Sequence, residues 1–436
     1  MPDTRVNFDL ATALKEAEQR YVAANPKSEQ RVRKAAESMP GGNTRTVLYY
    51  SPFPVTFAKG EGATLTDIDG HVYTDFLGEY SAGIYGHSHP KIIAAAERAL
   101  KSGIVLGGPN QYEAELAELV KARFPSVDLI RFCNSGTEAN LMALVTARAV
   151  TGRSHIMAFE SGYHGGVLSF KGGPAAINVP FPTVLGSYND IEGTLALIEK
   201  HKHELAAIIL EPMMGGAGAI AGDRAFLQAL RDASTKHGIV LIFDEVMTSR
   251  LSPGGLQEVH GIRPDLTSFG KYIGGGFSFG AFGGARRLMD RYDPSKPGGF
   301  AHAGTFNNNV MSMAAGAVGL REIYTPEAAR KLNAAGESLK ERLNALFAEK
   351  KVAMQSTGIG SLLSIHFQRT PIRRPADIVP SDAKRALVHL EMMARGYYFA
   401  RRSYLTLSVV LEPKDYDGFL AAMGTVVDEY ASVLKE

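Results

Sequence analysis

The sequence predicts an α/β fold, with a mostly parallel central sheet flanked by helices and a smaller α+β portion assembled from both chain ends. Three observations carry this expectation. After His89-Pro90, helix-period stretches alternate with short apolar runs that show no polar alternation, the pattern of buried parallel strands separated by crossover helices. Past Pro326 the texture shifts to one long charged helix, two strands and a terminal helix. The chain has 436 residues, 45% hydrophobic and 21% charged, enough for a sizeable core and for two or three units of roughly 150 residues.

Taken in order, residues Phe8–Met39 interleave charges with Ala, Leu and Val and close on Pro40-Gly41-Gly42, which predicts an amphipathic helix. Val55–Tyr80 alternates apolar and polar residues around Asp69-Gly70, so two antiparallel strands with a hairpin turn are expected. Further helices are expected at Lys91–Lys101, Gln111–Arg123, Glu138–Thr151, Ile191–His201, Ala225–His237 and Asn309–Tyr324. Between them, strands are expected at Leu129–Cys133, His155–Phe159, Ala206–Leu210, Val240–Phe243 and Leu266–Phe269. The last part reads as a helix over Glu327–Lys350, strands near Ser361–Phe367 and Tyr404–Val410, and a final helix. The division expected is 1–89 for a helical arm and small-domain segment, 90–325 for a large ligand-binding domain, and 326–436 for a C-terminal small domain.

Composition removes several function classes. A net charge of +2 leaves no basic footprint for nucleic acid. One Cys makes no intrachain disulfide and no metal cluster. The N-terminal stretch is polar, and the longest apolar runs, such as Val310–Leu320, are Gly-rich and shorter than the ~20 residues a bilayer requires. A cytoplasmic protein is expected. Glycine is in excess, at 46 residues against an average near 7%.

Ligands of open α/β sheets collect beyond the carboxyl ends of the strands, so the residues just past each apolar run are informative. Leu129–Cys133 leads into Asn134-Ser135-Gly136-Thr137 and then a helix, either an ordinary N-cap or an anion site suited to phosphate. Ile239–Phe243 ends in Asp244-Glu245, either a turn cap or a carboxylate for a cationic ring nitrogen. Leu266–Phe269 runs into Gly270-Lys271 and a glycine run. There a partly desolvated Lys becomes a nucleophile for a carbonyl, unless it is simply solvated. Ser161-Gly162-Tyr163-His164 could add a flat ring, and Ala303-Gly304-Thr305 a second small-polar helix start. A phosphate site, an acid, a Lys and an aromatic together describe pyridoxal phosphate.

At these residues the chain resembles the class III aminotransferases of fold type I, in the subgroup of glutamate-1-semialdehyde 2,1-aminomutases. NSGTEAN, GYHG, EP, FDEVMTSR, GKYIGGG and GTFNNN occur in the family's order across essentially the whole chain. PGGNTRTV and GTFNNNVMSMAAG are most similar to the transaminases of β-amino acids such as β-phenylalanine. The resemblance implies that Lys271 carries the cofactor as a Schiff base and moves the substrate proton, and that Asp244 pairs with the ring nitrogen. It implies phosphate contacts from Ser135, Gly136 and Thr137, and Tyr163 against the ring. It also implies Glu211 near the cofactor, and Thr305 reaching the phosphate from the partner subunit of a homodimer. By the same resemblance Arg45 binds the carboxylate of the β-amino acid and Arg402 that of the acceptor, with Arg401 the alternative if the register is off by one. Guanidinium forks suit carboxylates in a way Lys does not.

The resemblance therefore implies transfer of the amino group of a β-amino acid to an α-keto acid such as 2-oxoglutarate or pyruvate. The alternative is a glutamate-1-semialdehyde aminomutase, whose usual longer PGGVNSPVR stretch and uncharged loop before the last strand are absent here. Two motifs point elsewhere. Gly276-Phe277-Ser278-Phe279-Gly280, with Asp290 and His302 downstream, has the form of a hydrolase elbow, which needs a strand before the Ser and a helix after it. Gly216–Ala221 has the loose form of a dinucleotide loop but reaches its helix too late. His87 and His89 are expected in an ordinary loop, His201 and His203 on a solvated face, and Cys133 as a buried packing residue.

Overall fold

The computed structural model describes residues 9–435. The expected first helix is two, Leu10–Ala24 and Pro26–Ala36, because Pro26 lacks an N–H and restricts the residue before it. Phe8, where that helix was expected to start, lies outside the described residues. Ala13, Ala17 and Tyr21 form the buried stripe of the first helix, and the Tyr21 hydroxyl donates to the Phe53 carbonyl at 2.8 Å. The second helix is capped from a distance, as Asp69 accepts from the Lys27 and Ser28 amides at 2.8 and 2.9 Å. The hairpin turn thus also fixes a helix.

Three antiparallel strands, not two, surround that turn: Phe57–Glu61, Thr64–Asp67 and Val72–Asp75. The first is charged and mostly exposed, so it lacks an apolar signal. Tyr397–Tyr398 pairs in parallel with Val72–Asp75, which puts residues from both chain ends in one sheet.

The central sheet has seven strands in the spatial order Leu129–Cys133, Gly280–Gly284, Leu266–Gly270, Val240–Asp244, Leu205–Leu210, His155–Phe159 and Thr183–Gly186. All pairings are parallel except those of Gly280–Gly284, which runs antiparallel to both neighbours. Alternate residues pack on opposite layers. Val240 and Ile242 meet Ala139, Ala143, Leu144 and Ala147 of the helix Gly136–Thr151. Leu241 and Phe243 meet Phe226, Leu227 and Leu230 of the helix Arg224–His237. The sequence does not predict the strand Gly280–Gly284, since Gly is a poor strand former. Its glycines are steric: a Cβ at Gly283 would lie 2.7 Å from the Leu129 carbonyl oxygen, and one at Gly284 2.2 Å from that of Asp265.

Beyond the sheet, the helix expected at Asn309–Tyr324 is α-helical over Val310–Val318 and widens to a π turn at Gly319–Ile323. Thr325 caps the helix Pro326–Glu349, its hydroxyl accepting from the Ala328 amide at 3.2 Å. Antiparallel strands Gln355–Ile359, Leu362–His366 and Tyr404–Thr406 come next, with helices Asp382–Ala394 and Pro413–Glu429. No helix among the described residues is long and apolar enough to cross a membrane.

One buried cation ties these parts together. Arg250 is fully buried and donates to the Ser361 hydroxyl at 3.0 Å, the Ser81 carbonyl at 3.5 Å and the Leu407 carbonyl. Its own carbonyl accepts from Asn333 Nδ2 at 2.8 Å.

Candidate active site

Three strand ends converge. Gly280 pairs with Cys133 on one side and Gly270 on the other, so the loop holding Ser135 and the turn holding Lys271 flank a single glycine. A Cβ at Gly280 would stand 2.1 Å from the Ser135 carbonyl oxygen. One strand further, Asp244 pairs with Ser268. The glycine strand is what lets these elements approach.

Lys271 begins the turn after its strand with φ of 54°, a left-handed conformation that non-glycine residues seldom hold without surrounding constraint. Its ammonium donates to the Tyr80 carbonyl. Burial, then the nearby Arg402, lower its pKa to about 8, with Asp244 opposing. An amine in that range has an appreciable neutral fraction near pH 7, as a nucleophile or proton carrier needs.

Asp244 is 4% exposed and three donors hold it. Asn140 Nδ2 and His164 Nδ1 reach Oδ2, each at 2.8 Å, and the Val246 amide reaches Oδ1 at 3.0 Å. Asn140 is held in turn, donating to the His164 carbonyl at 3.0 Å and accepting from the Ser268 hydroxyl. A carboxylate has about four acceptor positions, so one stays open for a further donor. The neighbouring Glu245 points to the other side and caps the helix Gly255–His260, accepting from the Leu256 and Gln257 amides at 2.9 and 3.0 Å. The two acids at this strand end thus divide between the site and a cap.

Ser135 is the N-cap of the 16-residue helix Gly136–Thr151, accepting from the Glu138 amide at 3.2 Å. The Thr137 hydroxyl accepts from the Gly166 amide at 3.3 Å. A Cβ at Gly165 would fall 2.2 Å from that hydroxyl, so the 161–165 loop lies directly over the helix start. Tyr163 in this loop is half-exposed. Glu211 is buried, accepts from the Gly215 amide at 3.1 Å and from the Tyr163 amide, and is pushed well above the usual carboxylate range by burial and then by Asp244.

At the mouth, the Arg45 guanidinium sits 5.5 Å from the Tyr80 ring centroid and pairs with Glu79. Arg402 sits 5.3 Å from Tyr80 and 5.6 Å from Tyr404. Its neighbour Arg401 acts electrostatically with Glu18, Tyr50 and Asp382 and not with Lys271. Of the two, Arg402 is therefore the one that shares the field of Lys271. Thr305 is exposed in the turn before Val310, and the Asn307 side chain of that turn accepts from Asn134 Nδ2 at 3.1 Å.

The other motifs dissolve. Ser278 is followed by a strand, not a helix, while Asp290 pairs with Arg286 and Lys296, and His302 lies beside Asn307. Gly216–Ala221 belongs to a hairpin between Met213–Met214 and Ile220–Ala221. His87, expected in a loop without acids, bonds Asp75 at 2.9 Å. Burial pushes the Cys133 thiol up to about 12. Sequence reasoning missed Asn140, His164 and Ser268 as supports of Asp244. Asn140 and His164 stood inside the quoted motifs, yet only the fold brings them together.

The family description "aminotransferase class-III" matches residues 48–393. Over 423 residues the chain is 49% identical to the beta-phenylalanine transaminase of Variovorax paradoxus, covering 97% of each. A solved beta-phenylalanine aminotransferase from that organism superposes with a TM-score of 0.96 at 49% identity, covering 98% of this chain and 99% of that one. A glutamate-1-semialdehyde 2,1-aminomutase of Chlorobium phaeobacteroides is 38% identical, over 88% of this chain and 94% of its own. The chain belongs to the class III aminotransferase family.

Proposed function

We propose that this enzyme moves the amino group of a β-amino acid, such as β-phenylalanine, to an α-keto acid. The observation that carries the reading is the half-buried Lys271, held with φ of 54° just past its strand, its pKa lowered to about 8 and its surroundings shared with Asp244 and Arg402. Class III aminotransferases depend on pyridoxal phosphate, and the residues suit that group. Asp244 keeps one acceptor position for a ring N–H, Lys271 offers an amine to the aldehyde, and Ser135, Gly136 and Thr137 start a long helix suited to phosphate. Tyr163 would lie against the ring, with Glu211 at its edge. When bound, the cofactor supplies an aldehyde that joins an amine and a ring that absorbs the electron pair left when the substrate carbon loses its proton.

The protein's own part is positional and acid–base. Asp244, held by Asn140, His164 and Val246, would accept the ring N–H and keep that nitrogen protonated by charge stabilisation. Lys271, once displaced by the substrate amine, would move a proton between the carbon bearing nitrogen and the cofactor carbon on the other side of that nitrogen. Arg45 and Arg402 orient the substrate carboxylates by bidentate contact.

The reading includes a homodimer in which Thr305 reaches the partner's phosphate site. The exposure of Thr305 and of Phe306 beside it supports this. It includes a cytoplasmic location, and a division at 1–89, 90–325 and 326–436 that the pairing of Tyr397–Tyr398 with Val72–Asp75 supports. The test is an absorbance band near roughly 400 nm, the signature of a Schiff-base cofactor, followed by addition of β-phenylalanine. The band should fall. An enzyme that leaves β-phenylalanine untouched and converts glutamate-1-semialdehyde overturns the reading.

A further inference from the structure

Beside Tyr80 the mouth continues into a cavity of about 290 Å³, lined among others by Tyr49, Tyr50, Tyr80, Arg385, Arg401 and Arg402. Three guanidinium groups in one small cavity repel each other unless anions sit between them. One carboxylate, Asp382, lines the cavity with them and acts on both Arg385 and Arg401, which leaves the cationic groups in excess. Asp382 is 96% exposed and its carboxylate stands 3.5 Å from Arg385, and Glu18 acts on Arg401 only through space. Arg401 and Arg402 make no hydrogen bond or ion pair among the described residues. The Nε of each of the three arginines is buried without a partner. A lining with three guanidinium groups and one carboxylate favours an anionic occupant.

We propose that this cavity is an outer carboxylate subsite, and that it takes the distal carboxylate of a dicarboxylic keto acid whose near carboxylate rests on Arg402. The proposal rests on the transaminase reading and deepens it by assigning the acceptor class. Arg402 belongs both to the cavity wall and to the field of Lys271. One bridging diacid therefore satisfies the inner guanidinium at the reaction site and the outer pair, Arg401 and Arg385, further along. A one-carboxylate acceptor such as pyruvate gives the outer pair no substrate carboxylate. Arg401 and Arg385 then set acceptor specificity by binding, without touching the reacting atoms.

Two measurements on the holoenzyme test this. In the first, kcat/KM is compared for 2-oxoglutarate and pyruvate in the unaltered enzyme, Arg385→Gln and Arg401→Gln. The diacid value should fall at least about tenfold more than the pyruvate value, the scale of one charge-assisted contact. Equal falls, or none, overturn the subsite while leaving the transaminase reading intact. Transfer to neither acid by the unaltered enzyme overturns both. In the second, thermal unfolding is followed with glutarate and with butyrate, which need no turnover. Glutarate should raise Tm of the unaltered enzyme more than butyrate, and this difference should vanish in both variants. Equal shifts with butyrate that disappear in the variants would assign the pocket to a separate monocarboxylate and overturn the bridging diacid.

Discussion

The two sides of the Lys271 site are built in opposite ways. On the inner wall the carboxylate at the centre is densely paired, although His164 Nε2 has no partner among the described residues. Asp244 has three donors, Asn140 bonds on both ends of its amide, and Glu245 is consumed by a helix start. At the mouth, Arg402 lies against the Tyr80 and Tyr404 rings, Arg385 has one exposed partner in Asp382, and the Nε atoms of Arg385, Arg401 and Arg402 have no partner among the described residues. A satisfied network holds its members in one geometry, whereas unsatisfied cations keep free energy available for whatever anion arrives. On the proposed reading the wall is set before substrate binds, and the mouth is completed by the substrate.

Substitutions can break or sharpen that contrast. Lys271→Ala should have the largest effect. Initial rates should fall by about 10²–10⁴-fold from lost proton transfer alone, and the band near roughly 400 nm should vanish. A coloured, active Lys271→Ala enzyme would remove Lys271 from the chemistry. Asp244→Asn keeps the shape of the wall and removes its charge. A loss of about 10²-fold in kcat is expected, comparable with removing one preorganised electrostatic contact.

Asn140→Ala should act on stability as well as rate. It strands the Ser268 hydroxyl and withdraws a donor from Asp244, at a cost of about 1–3 kcal/mol, measurable as a lower urea midpoint. Arg402→Lys, at the mouth, should behave differently: about tenfold in KM through loss of the bidentate fork, with the urea midpoint unmoved. Equal stability losses in the two variants would erase the distinction between wall and mouth.

The smallest effect concerns pH. The Lys271 pKa is depressed to about 8 from near 10.4 in a free side chain, so the reactive neutral form appears early. Coupling of cofactor-free enzyme to the cofactor aldehyde should therefore speed up about fivefold between pH 7 and 8 and level off above 9. A rate that keeps rising beyond pH 10 would mean that burial does not govern this amine.

The sequence made the wall's chemistry legible wherever a reactive residue directly succeeds an apolar strand. Leu129–Cys133 and His155–Phe159 are observed at their expected bounds, and Ser135, Asp244 and Lys271 lie just past such strands or at their last residue. The hidden part depends on packing across the chain. Three of the five residues of Gly280–Gly284 are glycines that weaken its strand signal, and Gly280 and Gly283 are glycine because of carbonyls more than a hundred residues earlier. His164 matters through Asp244, 80 residues later. The different neighbours of Arg401 and Arg402 arise in a turn in which Ser403 takes φ of 64°, beyond the reach of periodicity.

Arg250 gives the assembly an order in time. During synthesis its guanidinium emerges after Ser81 but before Ser361 and Leu407, two of its three acceptors. Until those arrive, burying Arg250 leaves a charge unmatched in the interior, at a cost of several kcal/mol. The nascent chain cannot close around the lysine pocket until its last quarter leaves the ribosome. A prematurely terminated product would therefore remain open at this seam, exposed to proteases, instead of persisting as an inactive copy of the enzyme.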